Sequence, residues 1–241
     1  MSAVVGILGG MGPRATVQFE QTLLNLLPGT DQAIPPIFCS NDGRIPDRSD
    51  YLLGKGPDPV PQMARNLALL ESAGATIVCV PCNTACAPAI LGRLQAKTKV
   101  PIIDLPNEVV RVATRLQLRR VIVLATAGTV QARVYQRVCR QQGIQCMAPS
   151  DTTQQLVNQA IAAVKRGQMA MARALAHRVQ LAVSDLDADG VILGCTELPC
   201  LATQLVPEGL TAIDTLQVLA QSCIATLTSK EKINDTRRVY A

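Results

Sequence analysis

The chain reads as an α/β protein built from two duplicated halves with parallel sheets, and three observations predict it. Apolar runs of strand length alternate with segments of helical period along most of its 241 residues. Two short motifs, Cys82-Asn83-Thr84 and Cys195-Thr196-Glu197, each stand directly behind such a run. The N-terminal stretch GILGGMGPRAT is echoed by Arg120 to Thr129, a strand entering a Gly/Thr turn, at nearly the same offset as the two cysteine motifs. Alternating strands and helices imply right-handed crossovers and parallel sheets, with ligands at the carboxyl ends of the strands. Both cysteine motifs fall at those ends.

Taken in order, Val4 to Leu8 reads as a strand running into Gly9-Gly10-Met11-Gly12, and Pro13 opens a helix over 14–27. Ile37 to Cys39 is a short second strand. Residues 41–61, rich in Gly, Pro and Asp, are too long for a routine connector and mark an active-site loop. A helix over 62–73 leads to the apolar run 75–80 that carries Cys82, and a helix over about 87–96 follows. Residues 100–104 open the next unit, then come the strand 120–125, helices over 154–165 and 169–185, and the run Val191-Ile192-Leu193 before Cys195. A last helix over 215–228 returns to pack on the first half. The expected division is 1–103 plus 214–229 for the first domain, 104–213 for the second, and a frayed polar tail over 230–241.

Composition narrows the function. Hydrophobic content of 48% against 17% charged residues suits a globular protein, no window is apolar enough for a membrane span, and the first residues lack a secretory signal, so a cytoplasmic location is expected. Nine irregularly spaced cysteines without an export signal argue for free thiols. A net charge of +5 invites nucleic acid, but the basic residues are scattered and the chain has two Phe, three Tyr and no Trp to stack on bases. A solvated basic surface that suits a small anionic substrate is the better reading. A thiol where a strand ends and a helix begins is expected to have its pKa lowered by the helix dipole. Two such thiols facing one ligand could share a proton across it.

Four motifs, GILGGMGP at 6–13, RIPDR at 44–48, PCNTA at 81–85 and GCTELP at 194–199, together resemble the aspartate/glutamate racemase superfamily over essentially the whole chain, and its aspartate racemases most. The resemblance implies two pseudo-symmetric domains with the active site between them, no cofactor, and Cys82 and Cys195 as the acid/base pair. It also implies that Arg48 and Lys165 engage the substrate's carboxylates. The expected substrate is an amino acid with a carboxylate side chain, aspartate first, and the expected assembly a homodimer. One departure stands out: the family often has His where this chain has Cys86.

Inverting an α-carbon takes a base on one face and an acid on the other, each with a pKa near working pH. Backbone N–H groups of the Gly10-Met11-Gly12 turn, Asn83, Thr84 and Thr126 are candidates to stabilise charge on the α-carboxylate, with the Thr84 and Thr196 hydroxyls tuning the thiols. Other readings are weaker. Cys79-Val80-Pro81-Cys82 is a C-x-x-C without a second pair or a nearby His, so no metal is expected. His177, the only His, sits mid-helix. Glu197 reads as a first-turn residue favoured by a helix dipole, and Asp47 as a residue that orients Arg48. The competing functions are glutamate or broad-specificity racemisation, maleate isomerase-like chemistry through a covalent thiol adduct, and amino-acid binding without turnover.

Overall fold

A computed structural model describes residues 3–239, with side chains described as far as Thr228. In chain order the elements are β1 (Val5–Leu8), α1 (Pro13–Leu26), β2 (Ile37–Ser40), α2 (Arg48–Leu52), α3 (Val60–Ser72), β3 (Ile77–Cys79), α4 (Pro88–Gln95) and α5 (Leu105–Arg115), followed by β4 (Arg120–Ala125), α6 (Ala127–Gln131), α7 (Val134–Gln141), β5 (Gln145–Met147), α8 (Asp151–Lys165), α9 (Met169–Val183), β6 (Gly190–Gly194), α10 (Ala202–Leu205), β7 (Thr211–Asp214) and α11 (Thr215–Val239). Short 3-10 turns lie at Asp31–Ala33, Thr84–Cys86 and Pro199–Leu201.

The expected parallel α/β architecture is present. One sheet has the order β2-β1-β3 and the other β5-β4-β6-β7, with every pairing parallel. The duplication shows in the strand order, since β2-β1-β3 corresponds to β5-β4-β6. It extends one strand further: Ile102 bridges Val78 beside β3 where β7 pairs with β6. β1, β3 and β6 are buried at every residue, as befits strands covered by helices on both faces. Pro13, Pro61, Pro88 and Pro106 occupy first turns of their helices, where a missing N–H costs nothing.

α11 packs on α1 and α5, and α5 packs on α7. The larger hydrophobic core therefore runs through both halves, from Val5, Phe19 and Ile77 to Val121, Ile192 and Leu219. A second core lies under α8 and α9. Some elements differ from the sequence reading. α2 lies within the 41–61 loop, and β5, β7 and α5 are additional to the elements the sequence predicts. α11 continues past 228 to Val239, while the tail expected over 230–241 has its side chains outside the described residues.

The 41–61 segment is pinned at both ends. Asp42 accepts from Arg44 (2.8 Å), Gln62 (2.7 Å) and Asn66 (3.2 Å), and the Arg44 hydrogen bonds hold its carboxyl well below the usual carboxylate range. Asp58 accepts from Arg93 at 2.7 Å. Gly10, at φ +86°, leaves room for the Asp42 backbone, which an added Cβ would approach within 2.2 Å. Between these anchors α2 lies against α6, and Ser49 Oγ accepts from the Gly128 N–H at 2.9 Å. A Cβ on Gly128 would stand 2.4 Å from Ser49 Oγ and 2.6 Å from its Cα. Gly128→Ala should therefore push α2 off the second half, costing about 1–3 kcal/mol in urea unfolding and raising KM for any ligand held by Arg48. Wild-type values for both would mean that the α2–α6 contact is not closely fitted.

Candidate active site

The four strand ends that meet are those of β1, β3, β4 and β6, the neighbours at which each sheet changes direction of winding, and such switch points are where parallel sheets hold ligands. Met11 follows β1, Cys82 and Thr84 follow β3, Thr126 follows β4 and Cys195 follows β6. Together with Asp47, Arg48, Ser49, Asn83, Lys165, Thr196 and Glu197 they enclose one cavity. Nearly all the residues singled out from sequence thus come together. Gly10 and Gly12 do not line the cavity: the Gly10 N–H donates to Thr16 Oγ1 at 2.9 Å, and Gly12 lines an adjoining cleft.

Cys82 and Cys195 are 5% and 7% exposed, so both thiols are withdrawn from bulk water. Neither stands at the start of an α-helix: a 3-10 turn intervenes before α4 on one side and before α10 on the other. The dipole argument fails for Cys195. Burial pushes its thiol well above the ordinary range, the negative charge of Glu197 adds to this, and nearby Lys165 opposes it. Its S–H donates to Glu197 Oε2 at 3.0 Å, and the Thr196 hydroxyl donates to the same oxygen at 3.1 Å. Glu197 is therefore a partner of the thiol and not a helix-end residue. Its position two residues after Cys195 was the available signal, and assuming a helix there hid it. Behind Cys82, the buried Cys86 thiol donates to the Cys82 carbonyl at 3.4 Å, with its own pKa raised by burial and by the charges of Cys82 and Asp104.

Arg48, on α2, is only 7% exposed. Its guanidinium donates to the carbonyls of Pro46 (2.9 Å), Ile45 (3.3 Å) and Met11 (2.9 Å), and Nε is buried with no hydrogen-bond partner. Those carbonyls orient it; Asp47 instead caps α2 by accepting from the Asp50 N–H at 2.9 Å. A buried guanidinium with a spare donor and no carboxylate partner is built to meet an anion. Lys165 closes α8 on the opposite side. Burial pulls its pKa down, but Glu197, Cys195, Cys82 and Asp47 outweigh that and hold the ammonium above its ordinary value.

Two polar links join the halves under the cavity. Asn83 donates to Thr215 Oγ1 at 3.1 Å and accepts from the Tyr135 hydroxyl, and Thr215 in turn donates to the Leu193 carbonyl at 3.0 Å. The hydroxyls of Thr84, Thr126 and Thr129 form a triangle with sides of 2.9–3.0 Å. The cavity itself is about 20 Å³, room for about one water molecule. Admitting an amino acid requires its walls to move apart.

The match to known proteins follows the same lines. The family model described as Asp/Glu/Hydantoin racemase matches residues 8–223. A broad specificity amino-acid racemase, RacX, of Bacillus subtilis (strain 168) is 28% identical over 233 residues, 92% of this chain and 97% of that protein. A glutamate racemase of Shewanella baltica is 28% identical over 174 residues, covering 71% of this chain but only 62% of its own length. Among solved structures, the Picrophilus torridus aspartate racemase superposes with a TM-score of 0.82 at 27% identity, covering 94% of this chain and 95% of that one.

Tyr135 is fully buried, and its hydroxyl is the link from α7 to Asn83. Tyr135→Phe leaves the Asn83 carbonyl oxygen without that donor, and a loss of about 1–3 kcal/mol is expected in chemical denaturation. An unchanged midpoint would show that the link between the halves does not contribute to stability.

Proposed function

The chain belongs to the Asp/Glu/Hydantoin racemase family, and from that premise we propose that it interconverts L- and D-aspartate by a two-base mechanism using Cys82 and Cys195. The observation that carries this reading is that both thiols line the same closed cavity as a buried arginine with an unpartnered Nε and a charged lysine. One thiolate removes the α-hydrogen from one face, and the opposite thiol returns a proton to the other. Arg48 and Lys165 hold the side-chain carboxylate. The hydroxyls of Thr84, Thr126 and Thr196 and the backbone at Met11 and Asn83 face the α-carboxylate, where charge develops as the α-carbon is deprotonated. Exclusion of water strengthens each of these interactions.

A second reading, broader specificity, is supported by the Bacillus subtilis relative, which matches nearly end to end. Incubation with L-aspartate and, separately, L-glutamate and neutral amino acids in D₂O distinguishes them. The expected result is D-aspartate carrying one α-deuterium, with slower or no exchange of the others. Comparable exchange of neutral amino acids would favour the broad-specificity reading, and a stable covalent adduct on either cysteine would favour isomerase chemistry.

Replacing either base, as in Cys82→Ala or Cys195→Ala, should lower kcat/KM by about a thousandfold. Retention of wild-type racemisation by either variant would exclude the two-thiol mechanism. Arg48→Lys keeps the charge but loses the fork, so KM for aspartate should rise about tenfold with a smaller effect on kcat. The direction of the Cys195 shift sets the pH dependence. Burial and Glu197 favour its thiol, so the form needed for Cys195 to act as acid persists through neutral pH, while its thiolate grows only as pH rises. At saturating substrate, initial rates from the enantiomer that Cys195 deprotonates should climb through the alkaline range. Saturating rates that stay flat or fall through the alkaline range for both enantiomers would contradict this assignment.

A further inference from the structure

Beside the closed cavity lies a much larger cleft of about 350 Å³, bordered by Arg14, Ala15 and Gln18 of α1, Val164 and Cys200. The two spaces share four walls, Arg48, Lys165, Thr196 and Glu197. Of these four, Glu197 alone is an acid, and it alone holds a hydrogen bond from a thiol of the cavity, with Cys195 Sγ 3.0 Å from its Oε2. Its carboxylate thus joins a thiol that is 7% exposed to a cleft roomy enough for many waters.

A two-base racemase faces a requirement that follows from its stoichiometry. Each turnover leaves the two thiols with their protons exchanged, and a second molecule of the same enantiomer cannot react until the states are restored. We propose that Glu197 is the proton relay that reloads Cys195 from the cleft between turnovers. This rests on the racemase reading above. After Cys195 has given its proton to the α-carbon, the Glu197 carboxylate takes a proton from hydronium or a buffer acid in the cleft, and this new O–H then breaks as the Cys195 S–H forms, which returns Glu197 to its carboxylate. The proton that Cys82 gained from the α-carbon leaves to water, so one proton enters and one departs, and the enzyme regains its starting state. Burial and the carboxylate's own charge favour the Cys195 thiol, which makes transfer from a carboxylic acid to the emptied thiolate downhill. Lys165 and Arg48, cations in both spaces, and Asp47 in the cavity are the other charged groups around this path, with Arg14 at the cleft.

Glu197→Gln tests the relay in the full-length protein, because an amide can still accept from Cys195 and Thr196 but has no ionisable proton. Racemisation is followed in single turnover, with enzyme in excess of L-aspartate or whichever amino acid the wild type exchanges fastest, and in steady state at increasing concentrations of imidazole buffer. In the Gln variant the steady-state rate should fall about tenfold further than the single-turnover rate, and added imidazolium should restore it. Equal losses in both regimes, no loss in either, or indifference to imidazole would overturn the relay. Should the Gln variant fail to fold, Glu197→Asp, with its carboxylate drawn back from Sγ by one methylene, carries the same expectation of a selective, buffer-responsive deficit, and an unselective one overturns it. A wild type that exchanges no amino acid's α-hydrogen in D₂O overturns the racemase reading itself, whereas a racemising wild type without the selective deficit overturns the relay alone.

Discussion

Asn83 and Thr84 are buried polar residues beside β3 whose hydrogen-bonding groups are tied to the second sheet: the amide to Tyr135 and, through Thr215, to the Leu193 carbonyl of β6, and the hydroxyl to Thr126 and Thr129. A buried polar group left without a partner costs on the order of 1–3 kcal/mol, so the relative placement of the two sheets is strongly constrained by these few bonds. They lie directly beside Cys82. Whatever fixes the halves in register therefore also fixes the distance and angle between the two strand ends that bear the thiols, and a slip that separated the cysteines would first have to strand an amide and a hydroxyl.

The shared core reinforces this. The chain leaves the first sheet near Ile102 to build α5, which packs on α7 of the second half, and leaves the second sheet through β7 to build α11, which packs on α1 of the first. The chain leaving the last strand of each sheet thus leads into a helix that packs on helices flanking the other sheet. The 41–61 segment adds a further contact between the halves, where α2 lies against α6 with the Gly128 N–H donating to Ser49 Oγ. Arg48 rides on α2, and its guanidinium is fixed by the carbonyls of Ile45, Pro46 and Met11, so its free Nε is already aimed before any anion arrives.

The parallel architecture and the meeting of Cys82 and Cys195 are legible in the sequence because strong signals carry them, uninterrupted apolar strands and a cysteine motif repeated at matching places, whereas Arg48 and Lys165 are marked only by the resemblance to the racemase family. Weaker signals hid the rest. β5 is a three-residue strand, Gln145-Cys146-Met147, with neither alternation nor an apolar run, and β7 begins with two exposed residues, Thr211 and Ala212. α2 is five residues inside a Gly- and Pro-rich stretch, too short for any period to show. The role of Glu197 depends on the turn after β6 being a 3-10 turn and not an α-helix, a distinction decided by tertiary packing and not by local propensity. The raised Cys195 pKa is hidden for the same reason: burial, which sequence reports only coarsely, outweighs a dipole that no full helix is there to supply.

The smallness of the cavity has a kinetic meaning. A space of about 20 Å³ flanked by a cleft of about 350 Å³ cannot capture a ligand by collision alone, since the collision must coincide with an opening of the walls. Association then runs at the opening frequency multiplied by the chance that a ligand is waiting, which places it below the encounter limit. Departure is gated in the same way, so the residence time of anything held inside depends on how often the walls part as well as on the strength of its contacts.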